Sequence, residues 1–324
     1  MITEPWFWHQ DTLAARMVTK ALTPATLIYD TGQRLRAKLA TPTQTAIPVL
    51  CIGNATLGGV GKTPTALAIE KLLLPEIKAV FLSRGYQGEI KGPITVDTAT
   101  HSAKDVGDEA LLLARRAPTI VAKNRAAGAR FAESTGNHII IMDDGFQNPT
   151  VEKSFSLLLL SPETLDHKMS VFPSGPLREP LERAITRADA IGFIGPQNSP
   201  SPNLGKPVFK MALQPIGSPR PERVLAFCAI GNPSRFFQML ASNGYDVAGQ
   251  IAFPDHAYIN QQQFSDLEKR AKILDAKLIT TEKDCIRLAP ELRDEVRVYR
   301  VEMVFEDADG FIDLALSKMG LSMT

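Results

Sequence analysis

Gly53-Asn-Ala-Thr-Leu-Gly-Gly-Val-Gly-Lys-Thr-Pro64 follows an apolar run, Ile47–Ile52, and runs into a helical pattern over Pro64–Leu74. Strand, glycine-rich loop and helix in that order are what a phosphate-binding loop requires. Glycines let main-chain N–H groups curl around phosphate oxygens, a lysine reaches the β- and γ-phosphates, and a hydroxyl ligates Mg²⁺. Gly58, Gly59 and Gly61 supply the loop, with Thr56, Leu57 and Val60 among them, while Lys62 gives the cation and Thr63 the metal ligand. The helix N-terminus adds its dipole. One residue departs from the strict G-x-x-x-x-G-K-[ST] spacing, since Thr56 stands where the first glycine belongs. A glycine-rich turn that merely precedes a helix would account for the loop alone, but not for its setting on both sides.

Working outward, short apolar runs alternate with helical ones. Ala79–Leu82, Thr119–Ala122, His138–Met142 and Ser156–Leu160 read as strands, and Asp108–Arg116 and Ala126–Glu133 as helices. Continuous apolar strands separated by helices predict an α/β fold, here a P-loop NTPase-type α/β/α sandwich around a parallel sheet. Ligands in such sheets bind at the carboxyl ends of the strands. Ile139-Ile-Ile-Met ends there in Asp143 and Asp144, a Walker B layout in which one carboxylate holds Mg²⁺ and the other positions it or the nucleophile. Alone, such a run is as well read as a strand leading into a polar turn. Beside the phosphate loop it reads as a Mg²⁺-nucleotide site.

The Pro/Ser/Gly-rich stretch from Ile194 to Pro207 reads as a linker. Beyond it, strands at Val224–Ile230 and Lys277–Thr281 and helices at Ser234–Ser242 and Gln261–Leu274 predict a second, smaller α/β unit. Val296–Phe305 reads as one strand returning to the first unit, and Asp309–Met319 as a terminal helix. The expected division is 1–206 for an N-terminal helical, membrane-facing segment plus the P-loop kinase domain. It gives 207–305 to a second α/β domain with linker strands, and 306–324 to a C-terminal helix packing back on the first. Residues 5–39 predict a helical hairpin broken at Pro24, with Leu13, Met17 and Ala21 on one face and Arg16, Lys20, Arg34, Arg36 and Lys38 nearby. Trp6 and Trp8 lie in it too, so packing on the core and docking at a membrane surface both fit.

Lys+Arg 36 against Asp+Glu 35 leaves a net charge of +1, which excludes a strongly basic nucleic-acid footprint. Cys51, Cys228 and Cys285 form no C-x-x-C pair and lie in or beside apolar runs, as buried thiols in a reducing compartment do. The N-terminus carries Glu4 and no basic region before an apolar core, so it does not read as a secretory signal. No apolar run approaches the ~20 residues that span a bilayer. A cytoplasmic chain, or one on the cytoplasmic face of a membrane, is expected, and nothing requires an obligate protein partner.

Two P-loop classes fit poorly. The partitioning ATPases place a signature lysine where Leu57 stands, and the GTPase base-reading N-K-x-D has no counterpart, Thr281-Glu-Lys-Asp284 having the wrong spacing. Gly53-Asn…Gly58-Gly-Val-Gly-Lys-Thr-Pro64, Ser83-Arg-Gly-Tyr86, Val106-Gly-Asp-Glu109, Asp143-Asp-Gly-Phe-Gln147, Pro173-Ser-Gly-Pro-Leu-Arg-Glu-Pro180 and Phe253-Pro-Asp-His256 follow in order. Over roughly residues 5–305 this set resembles the tetraacyldisaccharide 4'-kinase family, the lipid A 4'-kinases of Gram-negative bacteria. The resemblance implies two α/β/α domains joined by a β-ribbon. It implies phosphorylation of the 4'-hydroxyl of tetraacyldisaccharide 1-phosphate, with ATP and Mg²⁺, to give lipid IVA at the cytoplasmic face of the inner membrane. Its partners would be that acylated diglucosamine 1-phosphate and an anionic membrane surface, with no nucleic acid. Asn148 and Ser174 depart from the family's usual His and Ala.

The resemblance also implies roles. Lys62, with Mg²⁺ on Thr63 and Asp143 or Asp144, would neutralise the transferred phosphoryl group, and Asp108 supported by His256 would accept the hydroxyl proton. On residues alone Asp108 reads equally as an acid at a helix start. Arg84, Glu109, Lys123, Arg125, Gln147 and Arg178 are candidates for contact with phosphate or substrate, the cations also reading as salt-bridge partners. A non-catalytic, membrane-recruited nucleotide switch is the alternative, and it leaves the carboxylate–histidine pair without a purpose.

Overall fold

The structure, a computed structural model, describes residues 5–8, 10–166, 169–195, 200–217 and 221–322. Along the chain these form α1 (Leu13–Leu39), β1 (Val49–Asn54), α2 (Lys62–Leu73), β2 (Ala79–Ser83), β3 (Ile94–Thr95), α3 (Ala103–Val106), α4 (Asp108–Ala114), β4 (Thr119–Val121), α5 (Arg125–Glu133) and β5 (Ile139–Asp143). There follow β6 (Phe155–Leu160), α6 (Leu181–Arg187), β7 (Ala190–Ile194), β8 (Val208–Pro215), β9 (Arg223–Cys228), α7 (Pro233–Ser242), β10 (Asp246–Ala252) and α8 (Gln261–Ile273). The last elements are β11 (Lys277–Thr281), α9 (Glu282–Arg287), β12 (Arg297–Tyr299), β13 (Val301–Phe305) and α10 (Ala308–Met319). The N-terminal reading that rests on Glu4, and Pro196–Ser199 of the expected linker, lie outside the described residues.

Two sheets form. The larger runs β13-β8-β7-β6-β1-β5-β2-β4-β3, parallel throughout except for an antiparallel strand at each edge. Its apolar strands are continuous because each face has its own cover, and alternate residues serve the two faces. Leu50, Ile52, Ile139, Ile141, Leu157 and Leu159 join Ile69 of α2 and Phe311, Ile312 and Leu316 of α10 in one buried cluster. Val49, Cys51, Ile140, Met142, Leu158 and Leu160 join Ala129 and Ala132 of α5 and Ala184 of α6 in another. The second sheet, β10-β9-β11-β12, is all parallel. Phe264 and Leu267 of α8 cover one of its faces, and Phe236, Phe237 and Leu240 of α7 the other. The three cysteines are buried and unpaired.

Three expectations change. The stretch read as a linker joins β7 to β8 within the large sheet, because Val208–Met211 pair with Ile191–Ile194. The run read as one strand over Val296–Phe305 breaks at Arg300, where β12 pairs with β11 of the small sheet and β13 pairs with β8 of the large one. The two passages between sheets therefore lie side by side, with Ile216 N donating to Arg300 O at 2.9 Å. Finally, α1 is one helix of 27 residues rather than a hairpin. Pro24 removes one donor and leaves the Lys20 carbonyl without its helical partner. The turn is held from outside, where Ser174 Oγ lies 3.2 Å from Thr19 O and 2.7 Å from Thr26 Oγ1.

Candidate active site

β1 lies between β5 and β6, so the loop after β1 and the carboxylates ending β5 emerge side by side at the carboxyl edge of the sheet. Gly53 allows the approach, since a Cβ there would sit 2.3 Å from Phe146 Cβ. Gly61, at φ 98°, makes the left-handed turn into α2 that a side chain would strain. Thr56 needs no such freedom, as it forms an extended bridge with Leu177. Leu57 N donates to Pro176 O at 2.8 Å, Arg178 N to Ala55 O at 2.7 Å, and Arg178 Nε to Thr56 O at 2.9 Å. The Pro-rich turn thus clamps the first half of the phosphate loop, and an extended residue replaces the missing glycine.

Asn54, fully buried, completes the loop from within. Its Nδ2 donates to Gly58 O at 2.9 Å and its Oδ1 accepts from Lys62 Nζ at 3.3 Å. Lys62 Nζ also stands 3.7 Å from Asp144 Oδ1. Thr63 Oγ1 donates to Asp143 Oδ2 at 3.3 Å. Asp143 Oδ1 is buried with no hydrogen-bond partner. Burial pushes the Asp143 carboxyl well above its usual range, with Glu109 and Asp144 adding to the rise and Lys62 and Arg125 opposing it. Asp144 is half-buried; desolvation raises its carboxyl too, but Lys62 and Arg178 outweigh that and hold it low. Arg178 Nη1 donates to Asp144 Oδ1 at 2.9 Å. Gln147 Nε2 donates to Asn54 O at 3.0 Å and to Glu179 Oε1 at 3.3 Å, tying the loop after β5 back to β1.

An orphaned, buried carboxylate oxygen next to a threonine hydroxyl suits Mg²⁺, which uses one or two protein oxygens and takes the rest from phosphate and water. Thr63 and Asp143 fit such an ion. Asp144 is already committed to two cations.

Asp108 begins α4, capped by Gly107, and its carboxylate looks across to the second sheet. Its Oδ2 lies 3.0 Å from His256 Nδ1 and accepts from Arg287 Nη1 at 2.6 Å, while Oδ1 accepts from Glu109 N at 2.8 Å. Burial would raise this carboxyl, but the hydrogen bond from His256 and the charges of Lys283 and Arg287 prevail and hold it at about 2. His256 adopts φ 58° and is fixed by its N–H on Ala229 O at 2.9 Å and by the Tyr86 ring, 5.4 Å between centroids. Arg287 spans the same corner, donating to Ala229 O at 2.7 Å and pairing with Asp284. α9 brings these residues to α4, and Ile286 is buried among Val106, Ala110 and Leu111.

The expected residues thus gather in two groups. Lys62, Thr63, Asp143, Asp144, Gln147 and Arg178 form one, Asp108 and His256 the other. Glu109 lies between them, bound by Lys283 Nζ at 3.0 Å. Three cations stand elsewhere, Lys123 being exposed just past β4. Arg84 is exposed at the end of β2. Arg125 is 3% exposed, and its guanidinium is committed to Leu82 O at 3.0 Å and Asp143 O at 2.9 Å. It holds the ends of β2 and β5 together and has no face for a ligand, in contrast to its expected place among the phosphate contacts.

Asn54, Lys283, Asp284 and Arg287 escaped the sequence reading. For the residues of α9 the signal lay in Thr281, which caps that helix at the carboxyl end of β11, the edge where ligands of parallel sheets lie.

A model of the tetraacyldisaccharide-1-P 4'-kinase family matches residues 18–319. The tetraacyldisaccharide 4'-kinase of Rhodospirillum centenum is 40% identical over 314 residues, covering 94% of this chain and 93% of its own. That of Jannaschia sp. is 38% identical over 326 residues, covering 97% and 98%. Among solved structures, the "apo" form of LpxK from Aquifex aeolicus in complex with ATP matches with a TM-score of 0.77 at 24% identity. That match covers 93% of this chain and 99% of the Aquifex chain, and it supports the fold.

Proposed function

The chain belongs to the tetraacyldisaccharide-1-P 4'-kinase family, and from that premise we propose how its site works. The enzyme phosphorylates the 4'-hydroxyl of tetraacyldisaccharide 1-phosphate with ATP, giving lipid IVA in lipid A biosynthesis. Phosphoryl transfer passes through a loose transition state, so positioning and charge neutralisation carry most of the catalysis. The glycine loop and the start of α2 would cradle the phosphates, and Lys62 would move from Asn54 to the γ-phosphoryl oxygens. Thr63 and Asp143 would hold Mg²⁺, which when bound offsets charge on the phosphates. Arg178 and Lys62 keep Asp144 ionised and fixed beside the loop. Asp108 would take the hydroxyl proton, with His256 orienting its carboxylate.

The observation that carries this reading is the 3.0 Å contact between Asp108 and His256, residues from different sheets. A nucleotide switch has no use for such a pair. The direct test is transfer of label from γ-labelled ATP to purified disaccharide 1-phosphate. Transfer to the 4'-position, lost in Asp108→Ala, is the expected result. ATP hydrolysis with no labelled lipid would refute it.

The acceptor carries acyl chains, so its sugar must be met at a bilayer surface. α1 suits that task. Leu13, Met17, Leu27, Ile28, Leu35 and Leu39 are exposed and fall within about 120° of one another on the helix, while Ala15 and Asp30 on the other side are buried. Arg16, Arg34 and Arg36 flank the stripe, and Lys20 and Lys38 lie within it. This supports peripheral attachment at the cytoplasmic face of the inner membrane. Trp8 faces inward, its Nε1 donating to Pro173 O at 3.1 Å, and leaves Trp6 as the exposed tryptophan. Among the described residues no helix is long and apolar enough to cross a membrane.

A further inference from the structure

The two ring nitrogens of His256 face opposite charges. Nδ1 lies 3.0 Å from Asp108 Oδ2, and Nε2 lies 3.2 Å from Lys283 Nζ. An ammonium group has three donors and no acceptor, so the nitrogen that faces it must offer a lone pair. A neutral imidazole has one N–H, which then belongs to Nδ1 and is donated to Asp108. The other protonation states fail at one contact or both. With the proton on Nε2, an N–H opposes the ammonium and the Nδ1 lone pair opposes a carboxylate oxygen. With both nitrogens protonated, the Nε2 N–H still opposes the ammonium.

The other groups around the ring do not alter the choice. Asp255 Oδ1 stands 3.8 Å from Nε2, too far to accept a hydrogen bond, and Tyr86 offers only its ring. Lys283 is itself anchored, 3.0 Å from Glu109 Oε1 and 4.0 Å from Asp108 Oδ2. Burial works against its charge, but Glu109, Asp108 and Asp255 prevail and keep it an ammonium.

We propose that Lys283 is a positioning residue of the transfer reaction, whose ammonium, held by Glu109, fixes His256 as the Nδ1–H tautomer and so keeps Asp108 an aligned, unprotonated acceptor. The proposal rests on the reading of Asp108 as the base. Lys283 acts through His256, and the second sheet thereby supplies both the orienting ring and the charge that sets its tautomer. Without Lys283 the neutral ring is free to carry its one proton on Nε2 instead of Nδ1, which would turn a lone pair towards Asp108 and break the contact that aligns the carboxylate.

The test is nitrogen-15 NMR of the full chain with labelled histidine, His256 being assigned by its loss in His256→Gln. The expected wild-type spectrum shows a protonated Nδ1 and an unprotonated Nε2 at neutral pH. In Lys283→Met the Nε2–H form should appear and kcat should fall about 10-fold to 100-fold, by analogy with the loss when the orienting partner of a metal-bound imidazole is removed, with KM for ATP unchanged. Lys283→Arg keeps a donor and should keep both the tautomer and much of the turnover. A wild-type Nε2–H tautomer or imidazolium would overturn the proposal, and that spectrum decides even where Lys283→Met fails to fold. So would full turnover in a Lys283→Met enzyme whose tautomer has changed. Intact transfer by Asp108→Ala beside the expected wild-type tautomer would instead fault the choice of base.

Discussion

Asp143 and Asp144 are neighbours with opposite electrostatics, and the difference assigns their work. Asp143 is buried and Asp144 half-buried, and Asp144 meets Lys62 and Arg178, whereas one oxygen of Asp143 meets no donor. Such a site invites a cation, so Lys62→Ala and Thr63→Ala should each cut phosphoryl transfer by roughly 10²–10⁴ in kcat, with thermal melts near wild type. Near-native turnover by Lys62→Ala would remove the phosphate-loop assignment. For the proton acceptor the prediction concerns coupling. Asp108→Ala and His256→Ala should each lower kcat strongly, and the double variant should be little worse than the poorer single one, because the two act as a unit. Additive losses would break the pair. Asp108 also carries a pH signature. Its carboxyl is held at about 2, below the ordinary 3.8, so its stabilisation is complete above about pH 4 and is lost as pH falls towards 2. Wild type should exceed Asp108→Asn in unfolding free energy at pH 7, by about 2 kcal/mol from linkage alone, and chemical denaturation should show the two converging as pH falls from 4 to 2.

At the scale of the element, α1 and α9 do unlike things with short-range sequence. α1 has an exposed apolar stripe whose buried side meets the core through Ala15, Thr26 and Asp30, the last paired with Arg183 at 2.5 Å. Replacing Leu27, Ile28 and Leu35 by glutamine should therefore weaken sedimentation with anionic vesicles and leave the melt unchanged. Unchanged vesicle binding would confine α1 to a structural role. α9 is a helix of six residues, too short to be stable alone, yet it delivers Lys283, Asp284 and Arg287 to one corner. Its position comes from the Thr281 cap, where the hydroxyl accepts from Asp284 N at 3.1 Å, and from Ile286 packed on α4.

For the molecule as a whole, the site depends on one sheet standing against another. The contact between α4 and α9 carries that arrangement, and its apolar part is separable from its charges. Ile286→Ala should cost about 2–5 kcal/mol if the packing stays rigid. It should also lower kcat, because Asp108 and His256 would no longer be held in register, while KM for ATP, set at the other group, should hardly move. Steady-state kinetics beside chemical denaturation would check this. A stability loss with unchanged kcat would mean that the two sheets are aligned elsewhere.

The phosphate loop, the Asp143–Asp144 pair and the two α/β units were legible in the residues, because glycine freedom, strand hydrophobicity and charge at strand ends are local properties. Boundaries held to within a few residues where apolar runs were continuous, as in β5 and β11. Only the tertiary structure decided what depends on partners distant in sequence. Pro24 does not break α1, since the Ser174 hydroxyl of the Pro-rich turn secures the helix there. Val296–Phe305 carries no mark of the break at Arg300, where neighbouring residues join different sheets. Arg125 and Arg178 look alike in a sequence, yet one is sealed between strand ends and the other reaches the site. Lys283 gave no signal of its own, because a lysine acquires its role from the groups around it, here Glu109, His256 and Asp108, each brought from 27 to 175 residues away by the folding of the small sheet and the packing of α9 on α4.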